Sequence, residues 1–366
     1  MAALTQAVVL DALRSVQDPD QKRDIVALGL VQDLEVREGE VQFTLAFAGQ
    51  SPAAKVAVHS AATRAVGSLP GVNRVQAKMG GAARPAAARP AAQGHAPGPA
   101  PAADLIPDVK HTIAVSSGKG GVGKSTVAVN LALAFKRLGA QVGLVDVDVY
   151  GPDVPLMMGA KGQPATFDNK ILPVEAHGVR IMSIGLLVQE REAITWRGPM
   201  IHSAVQQFLR DVAWGPLDYL VFDMPPGTGD AQISLSQIIP LTGVVMVTTP
   251  QDVALLDVRK GLAMFRKLNV PILGIVENMS YFVAPDTGRT YKIFGEGGGA
   301  RVAEEFGVPL LGRLPLEMET RQAGDAGVPI VVGAPESAQA KIFLDVAKAV
   351  TARAQAVTSL SMPSIT

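Results

Sequence analysis

One stretch narrows the folds open to this chain more than any other: TIAVSSGKGGVGKST, residues 112–126. A β-branched apolar run leads into a glycine-rich turn, and TVAVNLALAFKRLG reads as the helix that leaves it. Gly118 to Ser125 fits G-x-x-x-x-G-K-[ST] in the strand–loop–helix setting that motif needs. Glycines let successive backbone N–H groups turn inward around an anion, and the helix N-terminus adds positive potential. Lys124 is the residue to neutralise β/γ-phosphate charge, and the Ser125 hydroxyl is the Mg²⁺ ligand. The candidate nucleotide-binding set is therefore Gly118, Lys119, Gly120, Gly121, Val122, Gly123, Lys124, Ser125 and Thr126.

Further runs, QVGLVDV, DYLVFDM, GVVMVTT and PILGIVE, alternate with amphipathic stretches. That rhythm predicts right-handed βαβ units and an α/β P-loop NTPase fold. Its mostly parallel, doubly wound sheet is covered on both faces. Ligands on such a sheet sit at the carboxyl ends of the strands.

Residues 80–104 are almost entirely alanine, proline and glycine, with too little apolar surface to build a core. We read 80–107 as a semi-extended linker and 1–79 as a small α+β domain with the order helix–strand–strand–helix–strand. Residues 108–355 form the ATPase domain and 356–366 a flexible tail. Lysine plus arginine equal aspartate plus glutamate at 33 each, which argues against a general nucleic-acid binder. No basic, apolar leader opens the chain, and no apolar run approaches bilayer length. The expectation is a cytoplasmic protein without a membrane or nucleic-acid partner. The chain has no cysteine, so disulfides and thiolate ligation of metal by its own residues are excluded.

Two acidic segments complement the loop. DYLVFDMPPGTGD ends a strand in Asp223, placed to hold a metal ion through its water shell beside a Pro-Pro-Gly loop. In LVDVDVYGPDVP, Asp146 and Asp148 stand two residues apart at the end of a strand. One is to reach the metal or attacking water and the other to cap the loop, with nothing local to decide between them. Lys119 sits on the outer rim of the turn. There it can cross to a nucleotide held by a facing subunit, as an arginine finger does, or remain a solvated loop lysine.

The loop resembles the deviant Walker A of the dimerising MinD/ParA ATPases, and more closely the Mrp/ApbC family of ATP-dependent iron–sulfur cluster carriers. The residues carrying it are SSGKGGVGKST, DVDVYGPDVP, WRGPM (Trp196–Met200), DMPPGTGD, TTPQDVAL, VENMSYF, IFGEGGG and GDAGVP. The DPD turn, GLV run and LPGVNRV segment resemble the small metal–sulfur biosynthesis domain that often precedes such proteins. The resemblance implies a homodimer in which Lys119 acts across the interface and Asp148 positions water. It also implies that Asp223 is the Walker B aspartate and that Asn278 reads adenine. Iron–sulfur apo-proteins or assembly factors are the implied partners.

The sequence departs from that family at the ligands. Where the family has Cys-Pro-x-Cys after VENMSYF, Ala284 and Thr287 flank the retained Pro285, and Ser51 stands where the small domain often has cysteine. Alanine cannot ligate iron, and hydroxyls are poor replacements for thiolate. Asp286 and Glu296 read as solvated loop carboxylates. Two alternatives stay open: a MinD/ParA-like ATP-gated switch or scaffold without a cluster, and a small-molecule kinase on the same fold. A tail with one arginine, TARAQAVTSLSMPSIT, weakens the membrane form of the switch.

Overall fold

The computed structural model describes residues 4–19, 21–37, 39–47, 52–81, 105–149, 151–168, 170–187 and 198–361. The chain divides into two compact units, Met1–Ala96 and Pro97–Thr366.

The first unit runs α1 (Gln6–Arg14), β1 (Val31–Arg37), β2 (Glu40–Phe47), α2 (Pro52–Gly67), β3 (Arg74–Gly81). Thr5 starts α1 as an extended N-cap whose hydroxyl accepts from the Val8 N–H. Along β2, Val41, Phe43 and Leu45 are buried at every second position, as a sheet with one covered face demands. They pack on Val9 and Leu13 of α1 and on Val58, Ala62 and Val66 of α2. The sheet order is β1-β2-β3, with β1 antiparallel and β3 parallel to β2.

The second unit begins with β4 (Val109–Ser117), α3 (Lys124–Arg137), β5 (Val142–Asp146) and α4 (Val154–Met157). A hairpin follows, β6 (Ala165–Phe167) with β7 (Lys170–Leu172), then β8 (Val174–Ala176) and β9 (Val179–Ser183). Next come α5 (Gly198–Arg210), β10 (Leu217–Asp223), α6 (Asp230–Ile238), β11 (Gly243–Thr248), α7 (Asp252–Lys267) and β12 (Ile272–Glu277). A short hairpin, β13 (Phe282–Val283) and β14 (Thr290–Tyr291), precedes α8 (Gly298–Glu305) and β15 (Leu310–Arg313). The chain closes with α9 (Met318–Asp325), α10 (Ile330–Gly333) and α11 (Ala338–Ser361).

Eight strands form one sheet in the order β15-β12-β11-β4-β10-β5-β9-β8, parallel except for the edge strand β8. Strand residues sort alternately onto its two faces. Ile113, Val115, Leu144, Val221 and Val247 join α3 and α11 in one core. Ala114, Val145, Leu220, Phe222 and Met246 join α5 to α8 in the other. Along α3, Val127, Leu131 and Phe135 recur at helical spacing and are fully buried, each contributing about 1.5–3 kcal/mol of transfer free energy.

Two boundaries differ from the sequence reading. The last linker residues, 105–107, lie against the second unit, where Ile106 is buried and its carbonyl accepts the Val109 N–H. A single apolar residue after a long Ala/Pro run gives periodicity nothing to detect. At the other end α11 runs through Ser361, so the expected flexible tail from 356 is helix for its first six residues. Ala354 is buried in the core and anchors this part of the helix. Residues 82–104 and 362–366, Ser51, and Trp196 and Arg197 of WRGPM lie outside the described residues.

Candidate functional site

The parallel strands β4, β5, β10 and β12 end at the same edge of the sheet, and the chain that leaves them carries almost every polar residue the sequence singled out. β10 lies between β4 and β5, with Asp223 in register with Val115 and Asp146. The loop from Gly118 to Gly123 joins β4 to α3, and steric room explains the glycines at its two ends. A Cβ on Gly118 would fall 2.2 Å from the backbone carbon of Asp257 in α7. Gly123 has φ +82° at the helix N-cap, and a Cβ there would meet the Asn278 amide nitrogen at 2.2 Å. The Ser117 hydroxyl donates to the Lys119 carbonyl and holds the turn.

Lys124, the first residue of α3, is 6% exposed, which is exceptional for a lysine. Its Nζ donates to Asp223 Oδ1 at 2.6 Å, lies 3.5 Å from Asp148 Oδ2, and contacts the Ser125 hydroxyl at 3.2 Å. The ammonium therefore sits in a pocket of hard oxygen ligands. Asp223 is fully buried, and its Oδ2 has no hydrogen-bond partner. A buried oxygen of this kind carries a desolvation cost until a cation or donor reaches it. Serine and carboxylate oxygens suit a small divalent cation that keeps part of its water shell.

Asp146 and Asp148 have different neighbours. Asp146 is fully buried; its Oδ2 accepts from the Ser183 hydroxyl and its Oδ1 from the Asp148 N–H. It braces the loop, while Asp148 faces Lys124. β5 stops at Asp146, so strict strand alternation does not carry through to Asp148. Burial, then the neighbouring Asp223 charge, pushes the Asp146 carboxyl well above the usual range. Burial also raises Asp223, opposed by the Lys124 charge.

Lys119 is half-buried, and among the described residues no carboxylate lies within ion-pair distance of it. Asn278, at the end of β12, is buried and donates its amide to the Val122 carbonyl at 2.8 Å. It is thus strapped to the phosphate loop itself. Sequence reasoning missed Ser183 and Glu277. Ser183 gives no local signal, and Glu277 reads only as a charge closing the apolar run ILGIV.

The segment around Ala284 and Thr287, which the resemblance sets against the Cys-Pro-x-Cys positions, is the β13–β14 hairpin. The Ala284 N–H donates to the Arg289 carbonyl, and the Gly288 N–H returns to the Ala284 carbonyl. Ala284 is 9% exposed, and the exposed Thr287 pairs loosely with Asp286 at 3.4 Å. Asp286 and Glu296 are both exposed, the latter ion-paired to Lys292. Among the described residues no three His, Cys, Asp or Glu converge as a metal site. No described helix is long and apolar enough to cross a membrane.

A parallel α/β sheet with a glycine loop opening onto a buried Lys–Asp pair defines a P-loop NTPase. Residues 108–351 match the model of the ParA-type family described as the NUBPL iron-transfer P-loop NTPase, and residues 6–79 match that of an iron–sulfur cluster assembly protein. The chain belongs to this iron-transfer P-loop NTPase family. It is 47% identical over 358 residues, 97% of either chain, to a Deinococcus radiodurans protein named iron–sulfur cluster carrier protein. A Synechocystis protein of the same name is 45% identical over 356 residues, covering 96% of this chain and 98% of its own. Among solved structures, an Archaeoglobus fulgidus nucleotide-binding protein in complex with ADP aligns with a TM-score of 0.59 at 35% identity. The match covers 66% of this chain and 96% of that one. The Pyrococcus furiosus cell-division ATPase MinD shares the fold, with a TM-score of 0.52 at 24% identity over 66% and 98% of the two chains.

Proposed function

We propose that this P-loop ATPase is a Mg-dependent homodimer that hydrolyses ATP in the service of iron–sulfur cluster assembly or transfer. The cluster is cargo whose thiolate ligands come from outside the chain. The observation that carries the ATPase half is Lys124: a buried ammonium held by Asp223, Asp148 and Ser125 beneath a ring of glycines. Such an array favours a triphosphate with a divalent cation over any neutral ligand.

In this reading the backbone N–H groups of Gly120 to Lys124 cradle the phosphates, and Lys124 turns from Asp223 to the β/γ-phosphates. Ser125 and, through water, Asp223 would hold Mg²⁺, which supplies neutralisation of phosphate charge. Asp148 orients the attacking water. Asn278, whose Nδ2 is taken by Val122, offers Oδ1 to the exocyclic amine of adenine. Lys119 crosses to the partner's γ-phosphate.

The cargo half follows from the family and from the names of full-length relatives, against the absence of thiolates at 284 and 287. Partners are apo-proteins or assembly factors that bring sulfur ligands, or a small thiol. Anaerobic reconstitution with iron and sulfide, with and without millimolar glutathione, tests this. A cluster should co-migrate with the chain only when the thiol is present, and a stable cluster without it would overturn the reading. The self-closed hairpin favours one second reading: an ATP-gated scaffold that handles cluster proteins without touching the cluster. In that case neither arm yields a bound cluster, while ATP hydrolysis persists.

A further inference from the structure

The phosphate loop and the β13–β14 hairpin belong to different parts of the chain, yet one buried side chain adjoins in sequence a residue bonded to the loop and is itself bonded to a residue just before the hairpin. Glu277 closes β12 and is 1% exposed. Its Oε1 accepts the Ser280 hydroxyl at 2.9 Å, and its Oε2 accepts the Gly299 N–H, in the first turn of α8, at 2.5 Å. The exposed Arg313 approaches Oε1 at 3.7 Å. α8 is seated with no room to spare. A Cβ on Gly299 would lie 3.0 Å from Glu277 Oε2, and one on Gly298 would lie 2.6 Å from the Pro250 carbonyl. The last two glycines of IFGEGGG are thus needed because the helix start is pressed against Pro250 and the buried Glu277.

The neighbours of Glu277 complete a path. The next residue, Asn278, donates to the Val122 carbonyl of the phosphate loop and packs on Gly123. Ser280 binds both the Glu277 carbonyl and its carboxylate, and its N–H donates to the Leu314 carbonyl. Two residues further on, the hairpin begins at Phe282. Any ligand that shifts the Val122–Gly123 peptide pulls on Asn278, and the peptide shared with Glu277 carries that shift to Ser280 and Gly299. A half-satisfied buried carboxylate is costly, so its bonds shift together rather than break singly.

We propose that Glu277 is a positioning residue that makes the β13–β14 hairpin and the start of α8 respond to nucleotide in the phosphate loop. The inference rests on the nucleotide reading above and adds a route from that site to the segment where the family holds its cargo. It requires no ligand on the hairpin.

The test is hydrogen–deuterium exchange on the full chain with and without Mg-ADP, with ADP affinity measured in parallel by calorimetry. In the wild-type chain ADP should change exchange at 282–291 and at 298–301 by about fivefold or more. Glu277→Gln, which keeps shape but loses the charge, should bind ADP within about threefold of wild type while both responses vanish. Ser280→Ala is milder. It should diminish the hairpin response and spare that of α8, so the proposal stays testable even if Glu277→Gln misfolds. ADP binding with an unmoved wild-type hairpin overturns the coupling alone, as does a full hairpin response in either variant. A wild-type chain that binds no ADP sinks the nucleotide reading and the coupling with it.

Discussion

Two loops leave the carboxyl ends of the same sheet, and they have kept different things. The turn between β4 and α3 retains every group that phosphate chemistry requires. Gly118 and Gly123 lie where a Cβ would strike α7 or Asn278, and Lys124 meets a buried aspartate at 2.6 Å. The hairpin after β12 carries Pro285 and a closing pair of hydrogen bonds at Ala284, but no thiolate. Phosphate binding is done largely by main chain and helix dipole, so it depends on shape. Cluster binding depends on thiolate sulfur, and no backbone geometry replaces it.

The largest expected effect bears on that contrast directly. Introducing Ala284→Cys together with Thr287→Cys should convert a chain that holds no cluster in thiol-free reconstitution into one that does. Iron, sulfide and the visible absorbance of the purified protein would report it. Failure to gain a cluster would mean that the hairpin has lost more than its ligands.

Next in size is Lys119→Ala. Charge lent across an interface in phosphoryl transfer is worth about 10³-fold or more in turnover. We expect ATP hydrolysis to fall by about that factor while nucleotide affinity survives, as steady-state rates and calorimetry would show. An unchanged rate would favour a kinase-like or monomeric reading.

Lys124→Ala should act on binding itself. Losing hydrogen bonds from a charged donor costs about 1.5–3 kcal/mol, or roughly 10- to 150-fold in nucleotide affinity. Equal affinities for variant and wild type would show that the Lys124–Asp223 pair is purely structural.

The smallest effect concerns the apoprotein. The Asp146 carboxyl is raised above its unfolded value of 3.8, so between the two values the folded state binds more protons than the unfolded. Stability contributed by the protonated form is therefore lost as pH rises through the folded value. Asp146→Asn removes the titration and can keep partners for Ser183 and the Asp148 N–H. We expect the wild-type melting temperature to decline more steeply with rising pH than that of the variant. Above the window the variant should be more stable by about 1 kcal/mol. Parallel pH profiles would exclude a raised Asp146.

Much of this was legible in the chain. Continuous β-branched apolar runs spaced by helical stretches place the strands, because a strand covered on both faces is apolar at nearly every position. The phosphate loop is local: its residues are consecutive, and their chemistry follows from glycine freedom and a helix start. Asp223 is readable for the same reason, as a charge ending an apolar strand. The missing thiolates need no structure at all. Asp146 and Asp148 resisted sequence reading because the strand ends between them, and the difference lies in Ser183, a residue on another strand. Ile106 and the last turns of α11 were misread because their partners are far away in sequence.

By itself, then, the amino-acid order determined a nucleotide-binding α/β sheet, a separate small α+β unit and a chain unable to ligate iron through thiolate. Those are properties of neighbouring residues or of composition. Only the tertiary structure decided which aspartate faces the lysine, that Asn278 straps the phosphate loop, and that Glu277 holds the start of α8. Each of these depends on side chains from separate strands meeting at one end of the sheet, where hydrogen-bond partners are set by distance in space rather than along the chain.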